Sequence, residues 1–249
     1  MSHVAGSAGL RYIEQAGRLI ERLAGDEWPN IRAAAELVAD ALQHGGRVHP
    51  FGTGHSHMLA EELYYRAGGL VRVDPILFEG LMLHASAPLS TSLERLPGLA
   101  EALLVDHPVA AGDVLIVASN SGSNTVTSEL AKRARGVGIR VVAVTSLQHA
   151  TSPTARSTTR PRLHELADVV IDNGGCVGDA AIDIAGFDRK VAATSTVIGA
   201  TIVNAVVAEA VQLLVERGVA PDVYTSSNVE GGDDANARFL RPAGARWRS

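Results

Sequence analysis

The sequence predicts an α/β protein in which a three-layer, doubly wound parallel sheet follows two N-terminal helices. Three observations indicate this fold class. Two segments with apolar residues at helical spacing open the chain, short segments that are apolar throughout follow, and helical segments separate them. Strands without polar alternation are typical of a parallel sheet with helices covering both faces.

The elements follow from periodicity and from breaks at Gly and Pro. The N-terminal helices are predicted over residues 10–24 and 31–42, on either side of a Trp28-Pro29-Asn30 break. Strands are predicted over residues 48–51, 70–73, 113–118, 139–145 and 169–172, and further helices over residues 56–66, 99–105, 124–135 and 192–217. Residues 148–162 are predicted to be a surface loop. Pro50 is unexplained, because a central strand should donate a backbone hydrogen bond there.

The composition excludes several classes of protein. The chain has 249 residues, 46% hydrophobic and 20% charged, which is typical of a globular protein. With 22 basic and 27 acidic residues its net charge is −5, so we expect no nucleic-acid partner. A single cysteine, Cys176, cannot form an intramolecular disulfide. We expect a cytoplasmic protein without a membrane span, because the apolar stretch 191–215 is interrupted by polar residues and the N-terminus lacks a signal pattern.

A hydroxyl-rich turn follows the strand at 113–118 and leads directly into a helix. The turn reads Ser119, Asn120, Ser121, Gly122, Ser123, Asn124 and Thr125. Backbone N–H groups, hydroxyls and the positive end of a helix dipole converge there, which suits a phosphate dianion without any lysine. Helix capping would explain one such Ser, but a run of them at the end of a strand favours a phosphate site.

This turn resembles the Ser-x-Ser-Gly-x-(Ser/Thr/Asn) motif of the sugar isomerase (SIS) domain family, whose members bind phosphorylated sugars. The resemblance covers residues 47–217 and includes the first strand-turn, Phe51-Gly52-Thr53-Gly54-His55-Ser56. It implies a helical extension at 1–46, a phosphosugar-binding domain at 47–220 and a C-terminal tail at 221–249 that closes over the site. The implied ligand-binding residues are Gly54, His55, Ser56 and all seven residues of the hydroxyl-rich turn.

A dinucleotide-binding fingerprint is the competing explanation of the first turn. Gly52 and Gly54 follow a strand, and Asp74 lies twenty residues beyond Gly54. The third glycine position carries His57, however, so we predict no cofactor.

Chemistry beside a sugar carbonyl needs a base for a carbon-bound proton and an acid for the oxygen. Glu62 is the first choice of base, because Ala60-Glu61-Glu62-Leu63 resembles the Ala-Glu-Glu-Leu of phosphoheptose isomerases, in which the second Glu lies in the active site. Glu61 and Glu79 are the alternatives. A solvated helix face, with Glu62 paired to Arg66, is the competing explanation.

Histidine is suited to the second proton transfer. His84 follows the apolar turn 79–83 and is the predicted acid; His55 and His57 are further candidates, and a bond to a backbone carbonyl would explain each of them structurally. We predict no metal. Phosphoheptose isomerases carry a zinc site whose His lies four residues before the second Glu, where this chain has Met58, and the partner His of the C-terminal helix is absent.

The segment Ser195–Asn204 resembles the Ser/Thr-rich helix start of N-acetylmuramic acid 6-phosphate etherases, which are SIS lyases. This resemblance implies that Ser195 and Thr196 contact the sugar. The tail is similar in placement to the segments that close over the sugar in SIS enzymes, which implies sugar contacts for Asn228, Glu230 and Asn236.

These observations predict a lyase that dehydrates an amino-sugar 6-phosphate, best N-acetylglucosamine 6-phosphate, by C2 proton abstraction and loss of the C3 hydroxyl. An aldose–ketose isomerase and a non-catalytic phosphosugar sensor are the alternatives. SIS regulators carry a longer N-terminal DNA-binding region, whereas residues 1–46 have more acidic than basic residues. A single SIS domain usually completes its site with a partner chain, so a homodimer or homotetramer is expected.

Overall fold

The computed structural model describes residues 6–154 and 161–240 and has a parallel sheet between two layers of helices. The sheet contains β1 (Val48–Gly52), β2 (Val114–Ala118), β3 (Arg140–Thr145) and β4 (Val169–Asp172), in that spatial order. All three pairings are parallel. The predicted fold class is confirmed.

Helices surround this sheet. They are α1 (Ala8–Gly25), α2 (Trp28–Gln43), α3 (His57–Leu63), α4 (Ala87–Leu93), α5 (Leu99–Asp106), α6 (Thr125–Gly136), α7 (Leu147–Thr151), α8 (Leu163–Leu166), α9 (Ser195–Glu216) and α10 (Gly232–Ala237). A two-stranded antiparallel hairpin, β5 (Ala180–Ile182) and β6 (Val191–Ala193), precedes α9.

The order of the strands reverses beside β1. Instead of a regular strand at 70–73, the segment 72–76 runs along the edge of β1 opposite β2, through a parallel bridge between Val48 and Val73. The chain then crosses back to form β2 on the other side of β1. This reversal makes the sheet doubly wound and places a topological switch point between β1 and β2, where open α/β sheets bind ligands.

The same edge explains Pro50. The carbonyl of Pro50 accepts a hydrogen bond from the Ile76 N–H at 3.0 Å, but proline has no N–H to return to the carbonyl of Asp74. The Nδ1 atom of the neighbouring His49 lies 2.9 Å from that carbonyl and donates to it instead. A side chain therefore replaces the missing backbone donor.

Two hydrophobic clusters cover the two faces of the sheet. Side chains of β2 alternate between them: Ile116 packs in one with α1, α2 and α9, and Leu115 packs in the other with α5 and α6. Ile31 and Val38 of α2 are fully buried beside α9. The helical extension at 1–46 is thus an integral layer of the core.

Helix α9 is long and apolar enough to cross a membrane by length and composition. Half of its most apolar window is buried, and its side chains pack against α2 in the core. It is the buried helix that the sequence predicts.

Some elements differ from the prediction. α3 ends at Leu63 because Tyr64 is extended and Tyr65 has a positive φ of 45°, which directs the Tyr65 ring onto Tyr224. α7 occupies the start of the predicted loop at 148–162, of which residues 155–160 lie outside the described residues. The short strands β5 and β6 were not predicted, because three residues give no readable alternation.

Candidate functional site

A narrow cleft lies at the switch point, over the carboxyl ends of the strands. Its volume is about 10 Å³, and six of the predicted site residues line it: His55, Ser56, Ser119, Asn120, Ser195 and Thr196. They come from three separate parts of the chain, namely the turn after β1, the turn after β2 and the start of α9. Asn173, which follows β4, also lines the cleft and donates a 3.0 Å hydrogen bond to Asn120; sequence reasoning missed it.

A hydrogen bond within the turn after β2 stabilises its conformation. The Gly122 N–H donates to the Ser119 hydroxyl at 3.1 Å, and Gly122 has a positive φ of 60° that favours glycine. The Asn124 side chain makes no capping hydrogen bond to α6. Capping therefore does not account for Asn124. The rest of the turn, from Ser121 to Thr125, is not among the residues that line the cleft, and Ser123 and Thr125 are buried.

The start of α9 is fixed by Asp179, a residue that the sequence did not single out. Its carboxylate accepts hydrogen bonds from the N–H groups of Thr194 and Ser195 and from the Ser195 hydroxyl. This contact holds the Ser195 oxygen at the cleft. A carboxylate at a helix N-terminus also stabilises the positive end of the helix dipole.

A second, larger cavity adjoins the cleft through His55, which lines both. It measures about 210 Å³, and its other polar walls are His57, Glu61 and His84. Met58 and Met82 supply an apolar wall. The structure therefore joins a hydroxyl-lined cleft to a cavity with three groups that can exchange protons.

His57 has an unusual environment within this second cavity. Its side chain is buried, and burial lowers the pKa of the imidazole below its ordinary value. The Nδ1 atom lies 3.3 Å from the Gly52 carbonyl, so Nδ1 carries the proton. Nε2 is left as an acceptor without a hydrogen-bond partner, 3.9 Å from Oε1 of Glu61.

Two of the predicted carboxylates lie elsewhere. Glu62, the first choice of base, accepts hydrogen bonds from Arg66 at 2.9 Å and from Asn204 at 2.8 Å and lines neither cavity. It makes the Arg66 pairing that the competing explanation describes. Glu79 is exposed and also lines neither cavity. Glu61 is the predicted carboxylate that the fold brings to the second cavity.

The predicted tail residues are also separate from the cleft. Asn228 and Asn236 line a third cavity, and Glu230 is exposed. The Asn236 side chain bonds both backbone groups of Thr225, at 2.9 and 2.7 Å, so its amide fixes the tail itself. Up to residue 240, where the described part of the tail ends, no tail residue lines the cleft.

Glu94 is a further group near the site that sequence reasoning missed. The Thr53 hydroxyl, at the end of β1, donates to its carboxylate at 2.9 Å, and burial raises the pKa of Glu94. The Glu94 carbonyl accepts from the Val126 N–H in the first turn of α6. Glu94 thus connects the two turns that border the cleft, and no sequence motif distinguishes it.

No three His, Cys, Asp or Glu side chains in residues 6–154 and 161–240 are grouped so that they could hold a metal ion.

The close approach at Gly52 gives a first testable prediction. A Cβ at Gly52 would lie 2.3 Å from the Ser56 carbonyl oxygen. We expect Gly52→Ala to displace the turn that carries Ser56 and His57, and to destabilise the protein by about 1–3 kcal/mol, as overpacking does. Urea unfolding measures this loss.

The matched control is Gly136→Ala, at the end of α6, where a Cβ meets nothing within 4 Å. It should leave the free energy of unfolding unchanged or raise it by less than about 1 kcal/mol. Equal stability of the two variants would contradict the close approach.

The reversed strand order, the covered parallel sheet and the hydroxyl-lined cleft define a three-layer α/β protein with a ligand site at its switch point. The sequence model described as the SIS domain matches residues 11–146. The chain belongs to the SIS domain family and, within it, to the UPF0309 proteins. The matched range includes α1 and α2, in agreement with their place in the core.

The relatives match over almost their whole length. The chain is 43% identical to a UPF0309 protein of Listeria innocua over 92% of this chain and 93% of that protein. It is 44% identical to a UPF0309 protein of Halalkalibacterium halodurans, over 92% and 95%. Among solved structures, a phosphoheptose isomerase from Francisella tularensis is similar with a TM-score of 0.55 and 16% identity, covering 81% of this chain and 95% of that one. At that identity the likeness shows the fold alone.

Proposed function

We propose that the protein is an enzyme that dehydrates an amino-sugar 6-phosphate, with N-acetylglucosamine 6-phosphate as the best substrate. The observation that carries the proposal is the pair of cavities that share His55. One is small and lined by hydroxyls and amides, and the other is larger and lined by Glu61, His57 and His84. A substrate with an anionic end and a proton-exchanging end matches this division.

The phosphate end is assigned to the mouth of the cleft, because the interior of about 10 Å³ has room for only about one water molecule. Ser56 and Ser119 line the cleft, and α6 begins at Thr125, six residues after Ser119. Hydroxyls, backbone amides and helix N-termini bind phosphate without a cationic side chain. A net charge of −5 is therefore compatible with a dianionic ligand.

The sugar carbon chain is assigned to the second cavity. With the ring open, the C1 aldehyde acidifies the C2 proton, and Glu61 removes it. Nε2 of His57 is a neutral acceptor at 3.9 Å from Glu61 and can take the proton onward once the substrate tightens the contact to hydrogen-bond distance. Glu61 then returns to its ionised form.

Elimination completes the reaction. The electron pair of the C2–H bond becomes the C2=C3 double bond as the C3–O bond breaks, and His84 protonates the departing hydroxide to give water. Buffer restores the proton of His84 and removes the one on His57. The net change is the loss of one water. Elimination is favoured by the resemblance of the segment Ser195–Asn204 to the etherases, and the first two residues of that segment, Ser195 and Thr196, line the cleft.

The deciding experiment incubates the purified protein with N-acetylglucosamine 6-phosphate in deuterated water and measures product mass. A product lighter by one water supports the proposal. An unchanged skeleton with deuterium at C1 or C2 assigns an aldose–ketose isomerase, and tight binding without turnover assigns a sensor. Each of the latter two outcomes overturns the lyase.

The environment of His57 predicts the pH dependence. Burial lowers the pKa of His57, so the neutral acceptor persists to a pH below the ordinary histidine range and is lost as the pH falls through the lowered pKa. We expect turnover to be constant near neutral pH and to decline below about pH 6.5. His57→Gln should remove this acidic limb from the pH–rate profile. A limb centred at or above neutral pH would contradict the assignment.

A further inference from the structure

The third cavity lies at the far end of α3, between that helix and the C-terminal tail. It measures about 210 Å³ and is a separate space from the cleft and the second cavity, with no lining residue in common. Its walls include Tyr65 and Arg66 after α3 and Ser226, Ser227 and Asn228 of the tail. The polar residues Ser226, Ser227 and Asn228 of the tail therefore line a cavity that is separate from the cleft.

Hydrogen bonds join the segments that form the walls of the cavity. The tail pairs with the segment after α3, since the Gly68 N–H donates to the Tyr224 carbonyl at 2.8 Å and the Tyr224 N–H donates to Gly69 at 2.9 Å. The Asn236 amide closes the loop on Thr225. A ligand would therefore meet a formed pocket, which reduces the ordering cost of binding.

Aromatic packing fixes one wall. The rings of Tyr65 and Tyr224 meet edge to face with 5.0 Å between centroids, and Tyr224 packs in the same way on Phe239 at 5.9 Å. Tyr65 has a positive φ of 45°, a backbone conformation that a bulky side chain rarely adopts. Its ring remains half-exposed at the cavity. An aromatic face of this kind can stack on the apolar face of a sugar ring.

Most of the other side chains that line this cavity are polar, and one of them is cationic. Arg66 donates one hydrogen bond to Glu62 at 2.9 Å, which uses one of the five N–H groups of its guanidinium. Its side chain is about half exposed, so the guanidinium can turn toward an anion. The hydroxyls of Ser226 and Ser227 and the amide of Asn228 supply both donors and acceptors, as sugar hydroxyls require.

We propose that this cavity is a second ligand site, which binds a monosaccharide carrying one anionic group. Arg66 pairs with the anion, Tyr65 stacks on the sugar ring, and Ser227 and Asn228 bond its hydroxyls. A monosaccharide fits a cavity of about 210 Å³. The proposal is independent of the reaction assigned to the second cavity, because the two spaces share no residue.

Isothermal titration with three probes tests the proposal: N-acetylglucosamine 6-phosphate, glucuronate and neutral N-acetylglucosamine. The phosphorylated probe is titrated into Glu61→Gln, so that turnover adds no heat, and we expect two sites per chain. Arg66→Met should weaken one of them at least tenfold, and Ser227→Ala should weaken the same site while leaving Arg66 intact. If glucuronate binds at this site, the site accepts a carboxylate as the anion. If only the phosphorylated probe binds, the site requires a phosphate. Neutral N-acetylglucosamine should bind at least tenfold more weakly than the charged probe.

Two further variants separate this site from the proposed active site. Ser119→Ala removes a hydroxyl from the cleft and should weaken binding at the cleft only. If this variant binds at both sites as tightly as before, the result contradicts the proposed function and leaves the second site unaffected. Arg133→Met, which breaks an exposed ion pair with Glu101, is the control for removing a surface charge. Two results would contradict the second site. One is unchanged binding in both Arg66→Met and Ser227→Ala. The other is a single site per chain that Ser119→Ala abolishes. Circular dichroism of Ser227→Ala, a small change at an exposed residue, verifies that the fold is intact.

Discussion

Glu61→Gln should lower turnover of N-acetylglucosamine 6-phosphate by about 10²- to 10⁴-fold, the usual range for loss of a positioned general base. The amide keeps the size of the side chain but cannot accept a carbon-bound proton. Glu61 is half-exposed at the second cavity, so the substitution removes no packing. The free energy of unfolding should stay within about 0.5 kcal/mol of the wild-type value.

The neighbouring carboxylate provides a matched control. Glu62→Gln changes the same residue type on the same helix, but Glu62 is bonded to Arg66 and Asn204 and lines neither cavity. We expect its turnover to fall less than tenfold, with any effect appearing as a loss of stability. The reverse pattern, with Glu62→Gln inactive and Glu61→Gln active, would return the role of base to Glu62.

Asp113→Ala should destabilise the protein by more than about 1–3 kcal/mol, the usual cost of one buried polar group left without a partner, because three donors lose their acceptor. Asp113 is 7% exposed and accepts hydrogen bonds from the N–H groups of Arg47 and Ala110, both at 2.8 Å, and from Nε2 of His49 at 3.0 Å. His49 is fully buried, and its Nδ1 faces the Asp74 carbonyl. Asp113 therefore accepts hydrogen bonds from three donors in and beside the core, two backbone N–H groups and one imidazole nitrogen.

Urea unfolding measures the loss, with the exposed Arg133–Glu101 ion pair as the comparison. Glu101→Ala should cost less than about 1 kcal/mol, because exposed ion pairs contribute little. If Asp113→Ala proves too unstable to purify, Asp113→Asn keeps one acceptor oxygen and should show a smaller loss that still exceeds that of Glu101→Ala. Equal losses for Asp113 and Glu101 would contradict a stabilising role for the hydrogen bonds that Asp113 accepts.

Local patterns predicted the parts of the protein that depend on neighbours in the chain. The apolar segment at β2 and the turn after it are contiguous, so a buried strand, a hydroxyl-rich turn and a helix start could be predicted together. The carboxyl ends of parallel strands meet at one edge of the sheet, which is why Ser56 and Ser119 were expected in one site.

The positions of the glutamate side chains and of the tail depended on contacts between residues far apart in the chain, which the spacing of residues in the sequence does not predict. Glu61 and Glu62 are adjacent in sequence, and a helix turns them about 100° apart; only the position of α9 decided that Glu62 meets Asn204 and Glu61 meets the cavity. Likewise, the tail carries residues suited to sugar binding, but its pairing with the segment after α3 decided which cavity they line.

By itself the sequence determined the fold class, the covered parallel sheet and the hydroxyl-rich turn, because a contiguous pattern of residues predicts each of them. The tertiary structure alone decided which carboxylate faces the cavity, where the tail lies and why Pro50 is tolerated. The physical reason is the same in all three cases. A partner distant in the chain, Asn204, Gly69 or the His49–Asp74 contact, fixes the group in place.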